Sequence, residues 1–188
     1  MRRGKQIAIW RQLFRVAVVL GLGALTAACF QPLYGDRTLS AGDTVRDKLA
    51  SVQVGEIPAP NGSQEARLAV GMRNALMYDF NGGAAPSAPT HRLDVRLSSG
   101  INTVIVDVAS GRPDTQVEVL NVTFTLTEIA TGKVVLSTTT FARVSFDIPG
   151  TAQRFAQQRA WRNAEDRAVN TAAESIRNRL ASFFVAGT

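Results

Sequence analysis

The chain has one cysteine and one histidine among 188 residues. A single thiol, Cys29, cannot close an internal disulfide. A single imidazole, His91, leaves a His/Cys metal cluster, a Ser-His pair or a Cys-His pair without the partners it needs. Internal repeats, low-complexity tracts, a Gly-rich phosphate loop, metal-ligand spacings and paired carboxylates on one helical face are also missing. Neither a cofactor nor a metal is expected, and no catalytic residue is assigned. Acid is absent from the first fifteen residues, which hold Arg2, Arg3, Lys5, Arg11 and Arg15. The formal charge of +6 comes largely from that stretch, and the remainder carries 16 basic against 15 acidic side chains. A nearly neutral body removes the electrostatic case for a nucleic-acid partner. At 45% apolar the chain is too hydrophobic for disorder, and its length suits one domain.

The basic stretch precedes ten apolar residues, Val16 to Leu25, and then Thr26-Ala27-Ala28. Spanning a bilayer takes about 20 mainly apolar residues, and Arg11 and Arg15 stop this run from extending backwards, so it reads as a secretory signal. Cys29 follows directly. Small residues ending in cysteine resemble the lipobox of bacterial lipoproteins, although Thr26 stands where Leu is usual and Leu25 is one place further back. The resemblance implies cleavage between Ala28 and Cys29, with fatty acylation of the Cys29 thiol. Each buried methylene contributes about 0.8 kcal/mol, so a single chain holds marginally and two anchor stably. Residue 30 is Phe rather than the Asp that retains lipoproteins at the inner membrane of enteric bacteria, which points to the outer membrane. The alternative is a soluble exported protein with a chance cysteine near its cut site. The expected division is a signal peptide at 1–28, a lipidated N-terminus and tether at 29–48, and one domain at 49–186.

Within that domain, Leu49 to Ile57 reads as a first strand ended by Pro58 and Pro60. Ser63 is placed to cap a helix whose Leu68, Met72, Leu76 and Phe80 recur every fourth residue, and Asn81-Gly82-Gly83 stops it. Arg67, Arg73, Asn74 and Asp79 are left for solvent. His91 reads as a surface residue just before a strand in which Leu93, Val95 and Leu97 alternate with Arg92, Asp94 and Arg96. That strand either bends at Ser98-Ser99-Gly100 or continues to 108, and residues 110–114 turn the chain. In the next strand Leu120, Val122, Phe124 and Leu126 share one face, with Asn121, Thr123, Thr125 and Thr127 on the other. Ala130 to Lys133 forms a hairpin turn, and the returning strand places Leu136, Ala142, Val144 and Phe146 on one face. Beyond Gly150 a helical stripe runs from Ala156 to Phe184, with Arg154, Arg159, Arg162 and Arg167 read as a solvated face diluted by Glu165 and Asp166. The expected fold is α+β: a two-layer sandwich with a four-stranded mixed, largely antiparallel sheet, two helices on one face, and the order β-α-β-β-β-α. The other sheet face, rich in Thr and Asn, is left open.

Cys29-Phe30-Gln31-Pro32-Leu33-Tyr34-Gly35 resembles the start of the mature chain in the lipopolysaccharide-assembly lipoproteins, the LptE family. Gly71-Met72-Arg73-Asn74-Ala75-Leu76, Thr131-Gly132-Lys133-Val134 and Ala164-Glu165-Asp166-Arg167-Ala168 are similar to that family as well. The resemblance implies an outer-membrane lipoprotein that plugs an LptD-type β-barrel and helps place lipopolysaccharide in the outer leaflet, making and breaking no bond. Arg112 in the 110–114 turn and Lys133 in the hairpin are the loop cations placed to meet lipid A phosphates. Two rival classes share these features. One is an accessory lipoprotein of another envelope lipid-transport complex. The other is an envelope enzyme, which would need Asp94, Asp107 and Asp147 to converge on one pocket.

Overall fold

The structure, a computed structural model, describes residues 43–84, 86, 88–106, 113–147 and 154–186. The first element is a six-residue helix α1, Val45–Ala50, held by a capping box: the Thr44 hydroxyl accepts from the Asp47 N–H while the Asp47 carboxylate accepts from the Thr44 N–H. It begins four residues before the expected domain boundary and buries Val45 and Leu49. Leu49 therefore belongs to a helix, and the first strand, β1, is only Val52–Val54.

Helix α2, Gln64–Asn81, starts where expected, with the Ala66 N–H donating to Ser63 Oγ at 3.1 Å. It ends at Gly82, whose φ of 70° is a left-handed conformation that a side chain would strain. Its periodic residues Leu68, Met72, Leu76 and Phe80 are all buried.

Three long strands follow: β2 at His91–Val106, β3 at Pro113–Glu128 and β4 at Val134–Asp147. β2 does not break at Gly100, which pairs with Val119 in a ladder that keeps its register from His91 to Thr103 and shifts only between Thr103 and Val106. The sheet order is β1-β2-β3-β4, with β1 parallel to β2 and the other pairs antiparallel. Alternation puts Leu93, Val95, Leu120, Val122, Phe124, Leu126, Ala142, Val144 and Phe146 on one buried face.

Helix α3, Arg154–Ala186, covers that face. At 1.5 Å per residue its 33 residues span about 50 Å, close to the length of the 16-residue β3 at about 3.4 Å per residue. Ala164, Ala168, Ala172, Ala173 and Ala181 are buried, and small side chains let the helix lie close to the sheet. α2 and α3 lie side by side and run in the same direction. Arg67 meets Glu165, Gly71 faces Val169, and Asp79 lies 4.0 Å from Arg177, a constant offset along both helices. The architecture is thus the expected open-faced sandwich, with α1 added. Among the described residues no helix is long and apolar enough to cross a membrane.

Candidate functional site

The uncovered face of the sheet is built by the residues that alternate with the core. Register places Arg96, Thr123 and Thr139 in one row across β2, β3 and β4, and Asp94, Thr125 and Ser137 in the next. Hydroxyls within these rows pair with each other, Thr123 to Thr139 at 3.2 Å and Thr125 to Ser137 at 3.4 Å. Cross-strand hydroxyl pairs of this kind steady a sheet while remaining able to hydrogen-bond a partner. Arg92 Nε donates to Asp94 Oδ1 at 2.9 Å on the same surface. Beside them a groove of about 560 Å³ is lined by Glu56, Pro58, Asp94, Arg96, Thr123 and Thr125.

One aromatic interrupts this polar face. Strand parity turns Phe141 outward, 58% exposed, next to Asn121, and the Arg143 guanidinium stands 5.0 Å from its ring centroid. An exposed aromatic under a cation is a ready contact for a partner surface.

Lys133 lies in the hairpin between β3 and β4. Gly132, at φ 68°, lets the chain reverse, the Glu128 N–H donates to the Lys133 carbonyl at 2.9 Å, and Thr131 Oγ1 donates to the Glu128 carboxylate at 2.6 Å. Glu128 is thus engaged by its own turn, and Lys133 is exposed with no ion-pair partner among the described residues. Arg112, Ala28 and Cys29 lie outside the described residues. Asp94 and Asp147 do not converge. Asp94 is level with Ser137, ten residues along β4 from Asp147, or about 33 Å. Asp107 lies outside the described residues. Among those described, no three His, Cys, Asp or Glu side chains group as metal ligands.

His91 differs from its surface reading. It is half-buried, its ring meets Phe184 edge-to-face at 5.3 Å, and Nδ1 lies 2.9 Å from Thr90 Oγ1. Burial chiefly holds its pKa below the ordinary histidine value.

A polar cluster lies between the sheet and the helices, where the sequence reading expected only solvated charge. Glu118 points inward from β3 and is fully buried, as is Glu165 of α3. Trp161 Nε1 donates to Glu118 Oε2 at 3.1 Å, and Arg67 of α2 donates to Glu165 Oε2. Neither Arg67 nor Glu165 is therefore a free solvent-facing charge. Each carboxylate keeps a second oxygen, Oε1, that is buried without a partner. Burial pushes the Glu118 carboxyl above the usual carboxylate range, and the nearby Glu165 charge adds to this, against the Trp161 hydrogen bond.

The lipopolysaccharide-assembly (LptE) family matches residues 49–180. A structure from Caulobacter crescentus CB15, described as a lipoprotein, superposes with a TM-score of 0.57 at 18% identity, covering 77% of this chain and 97% of its own. Rare lipoprotein B from Shewanella oneidensis superposes with a TM-score of 0.50 at 17% identity, covering 72% of this chain and 95% of its own. Identities this low show a shared fold. No curated protein sequence matches. The family match takes in β1, α2, the three long strands and most of α3, well over half of the chain, and the chain belongs to the lipopolysaccharide-assembly family.

Proposed function

We propose that this protein is an outer-membrane lipoprotein, cut between Ala28 and Cys29 and held to the inner leaflet by acylated Cys29. It assembles with an LptD-type β-barrel as its plug and assists passage of lipopolysaccharide to the outer leaflet by binding and positioning, without catalysis. Family membership supports the role in lipopolysaccharide assembly. The observation that carries the partner reading is the open sheet face: hydroxyl rows in register, with one exposed aromatic, are the complement of a barrel interior, which is polar. Such a surface can replace barrel-lining water by hydrogen bonds with little desolvation cost. The loop cations Arg112 and Lys133 meet lipid A phosphates, an Arg gripping bidentately and a Lys acting as a point charge.

Affinity purification of the tagged full chain, with Cys29 intact, after mild detergent extraction tests this. A large outer-membrane β-barrel is expected to co-purify. Recovery of an inner-membrane transporter in its place would transfer the protein to the accessory-subunit class. Replacing both Arg112 and Lys133 with Ala is expected to weaken lipopolysaccharide binding, and unchanged affinity would discard these two residues.

A further inference from the structure

One stretch of the core-facing side of the sheet does not fit a core. Ser137-Thr138-Thr139-Thr140 puts hydroxyls on both faces of β4, so Thr138 and Thr140 occupy inward positions where Ala142, Val144 and Phe146 continue with buried apolar groups. Opposite them α3 presents Ser175, Asn178, Arg179 and Ser182 instead of its alanines. Between the two runs a groove of about 480 Å³, floored by Phe124. Its size falls within the roughly 300–1,000 Å³ of small-ligand sites. Two polar walls facing each other at the same height reduce the stability gained from burial, so they call for a use other than packing.

The chemistry of the walls is of one kind. Among the described residues no carboxylate lines this groove, whereas Glu56 and Asp94 line the groove on the outer face. Ser175 and Ser182 donate to the Thr171 and Asn178 carbonyls at 3.0 and 2.9 Å, which leaves their oxygens as acceptors. Among the described residues β4 is the last strand of the sheet, so alternate backbone N–H and C=O groups along 137–141 have no described strand beyond them. Arg179 is exposed at the groove with no ion-pair partner among the described residues.

We propose that the groove between β4 and α3 binds an anionic saccharide, its hydroxyls meeting Thr138, Thr140, Ser175 and Ser182 and its phosphate or carboxylate meeting Arg179. A neutral peptide strand added to β4 would use the edge backbone groups but would leave the guanidinium without a counter-charge, so the anionic sugar fits better. The proposal rests on the lipopolysaccharide reading only for the ligand's natural source, a lipid-borne sugar phosphate or a soluble one.

NMR titration of the full acylated chain in detergent micelles, with N-acetylglucosamine 1-phosphate, N-acetylglucosamine and inorganic phosphate as probes, tests it. Saturable shifts at residues 138–140 and Arg179 are expected with the sugar phosphate, with affinity about tenfold or more above either fragment. Arg179→Gln is expected to reduce that affinity about tenfold, and Thr138→Val with Thr140→Val about threefold, with the circular dichroism spectrum retained. Absence of saturable groove shifts, unchanged affinity in Arg179→Gln, or shifts along β4 with a polar peptide and none with sugars would each overturn it. In a second arm, rough lipopolysaccharide is compared with its delipidated core oligosaccharide. Groove shifts with either support the proposal and identify the source, and shifts with neither reject it. Barrel capture by the unaltered protein is scored separately, so failure of the partner reading does not pass for failure of the groove.

Discussion

Glu118 is the residue whose environment works hardest against it. A carboxylate with no exposed surface, one Trp N–H donor and a second buried carboxylate nearby is disfavoured in its charged form. Its folded pKa lies above its unfolded value, so the folded state binds the extra proton as pH rises past the unfolded value near 4.5. The protonated form's stabilising contribution is fully present below that value and is lost as pH climbs through the raised folded pKa. Glu118→Gln keeps an acceptor for Trp161 and removes the titration. Urea unfolding from pH 4 to 8 is expected to show a flatter stability profile for the variant and a gain of about 1 kcal/mol at the upper end. A profile parallel to that of the unaltered protein would mean that Glu118 does not titrate in this range. None of this was legible in the sequence. Arg67 and Glu165 are 98 residues apart, and each sits on a helix where a charge reads as solvated until the partner helix is in place. Trp161 and Glu165, four apart on α3, share a helical face, but nothing in that spacing reveals the β3 carboxylate beneath it.

At the scale of the element, what could be read from sequence was what local chemistry decides. α2 carries its own start and stop, and both are where the residues put them: the Ser63 cap and left-handed Gly82. Ser63→Ala removes the hydrogen bond to the Ala66 N–H and is expected to cost about 1 kcal/mol, read as a lower urea midpoint with unchanged slope. An unchanged midpoint would show that the first turn is held by packing alone. The inward faces of β2, β3 and β4 were legible because a period of two leaves one choice of face once Leu93 or Phe124 is buried. α1 was missed because six residues give too short a run for periodicity, although Thr44 and Asp47 carry the capping-box spacing that would have found it. Leu49 was read into a strand for the same reason: an apolar residue beside Val52 and Val54 extends an alternating pattern unless the cap upstream is weighed. Outward-facing Phe141 was implicit in the parity that buries Ala142 and Val144, but a pattern read for its core passes over the exception on the other face.

For the whole molecule, the division of labour follows from the two layers. The helices bury most of one sheet face, so the uncovered face is free to serve a partner without putting the fold at risk. A substitution there should therefore separate binding from stability. Phe141 is the sharpest case: its ring is 58% exposed, with the Arg143 guanidinium 5.0 Å from its centroid. Phe141→Glu replaces an apolar contact with a charge that a docked partner would have to desolvate, a cost of several kcal/mol unless a cation answers it. Because surface changes away from caps and cores usually stay within about 0.5 kcal/mol, the urea midpoint is expected to move little. Barrel recovery in the pull-down is expected to fall at least about tenfold. If recovery holds while the fold is intact, the open sheet face is not the surface that meets the barrel, and the contact must be sought on the helical layer, where Val70, Tyr78, Phe155 and Val185 are exposed. If recovery and midpoint fall together, Phe141 contributes to the fold, and only variants of the hydroxyl rows, such as Thr123→Ala with Thr139→Ala, can decide whether this face binds.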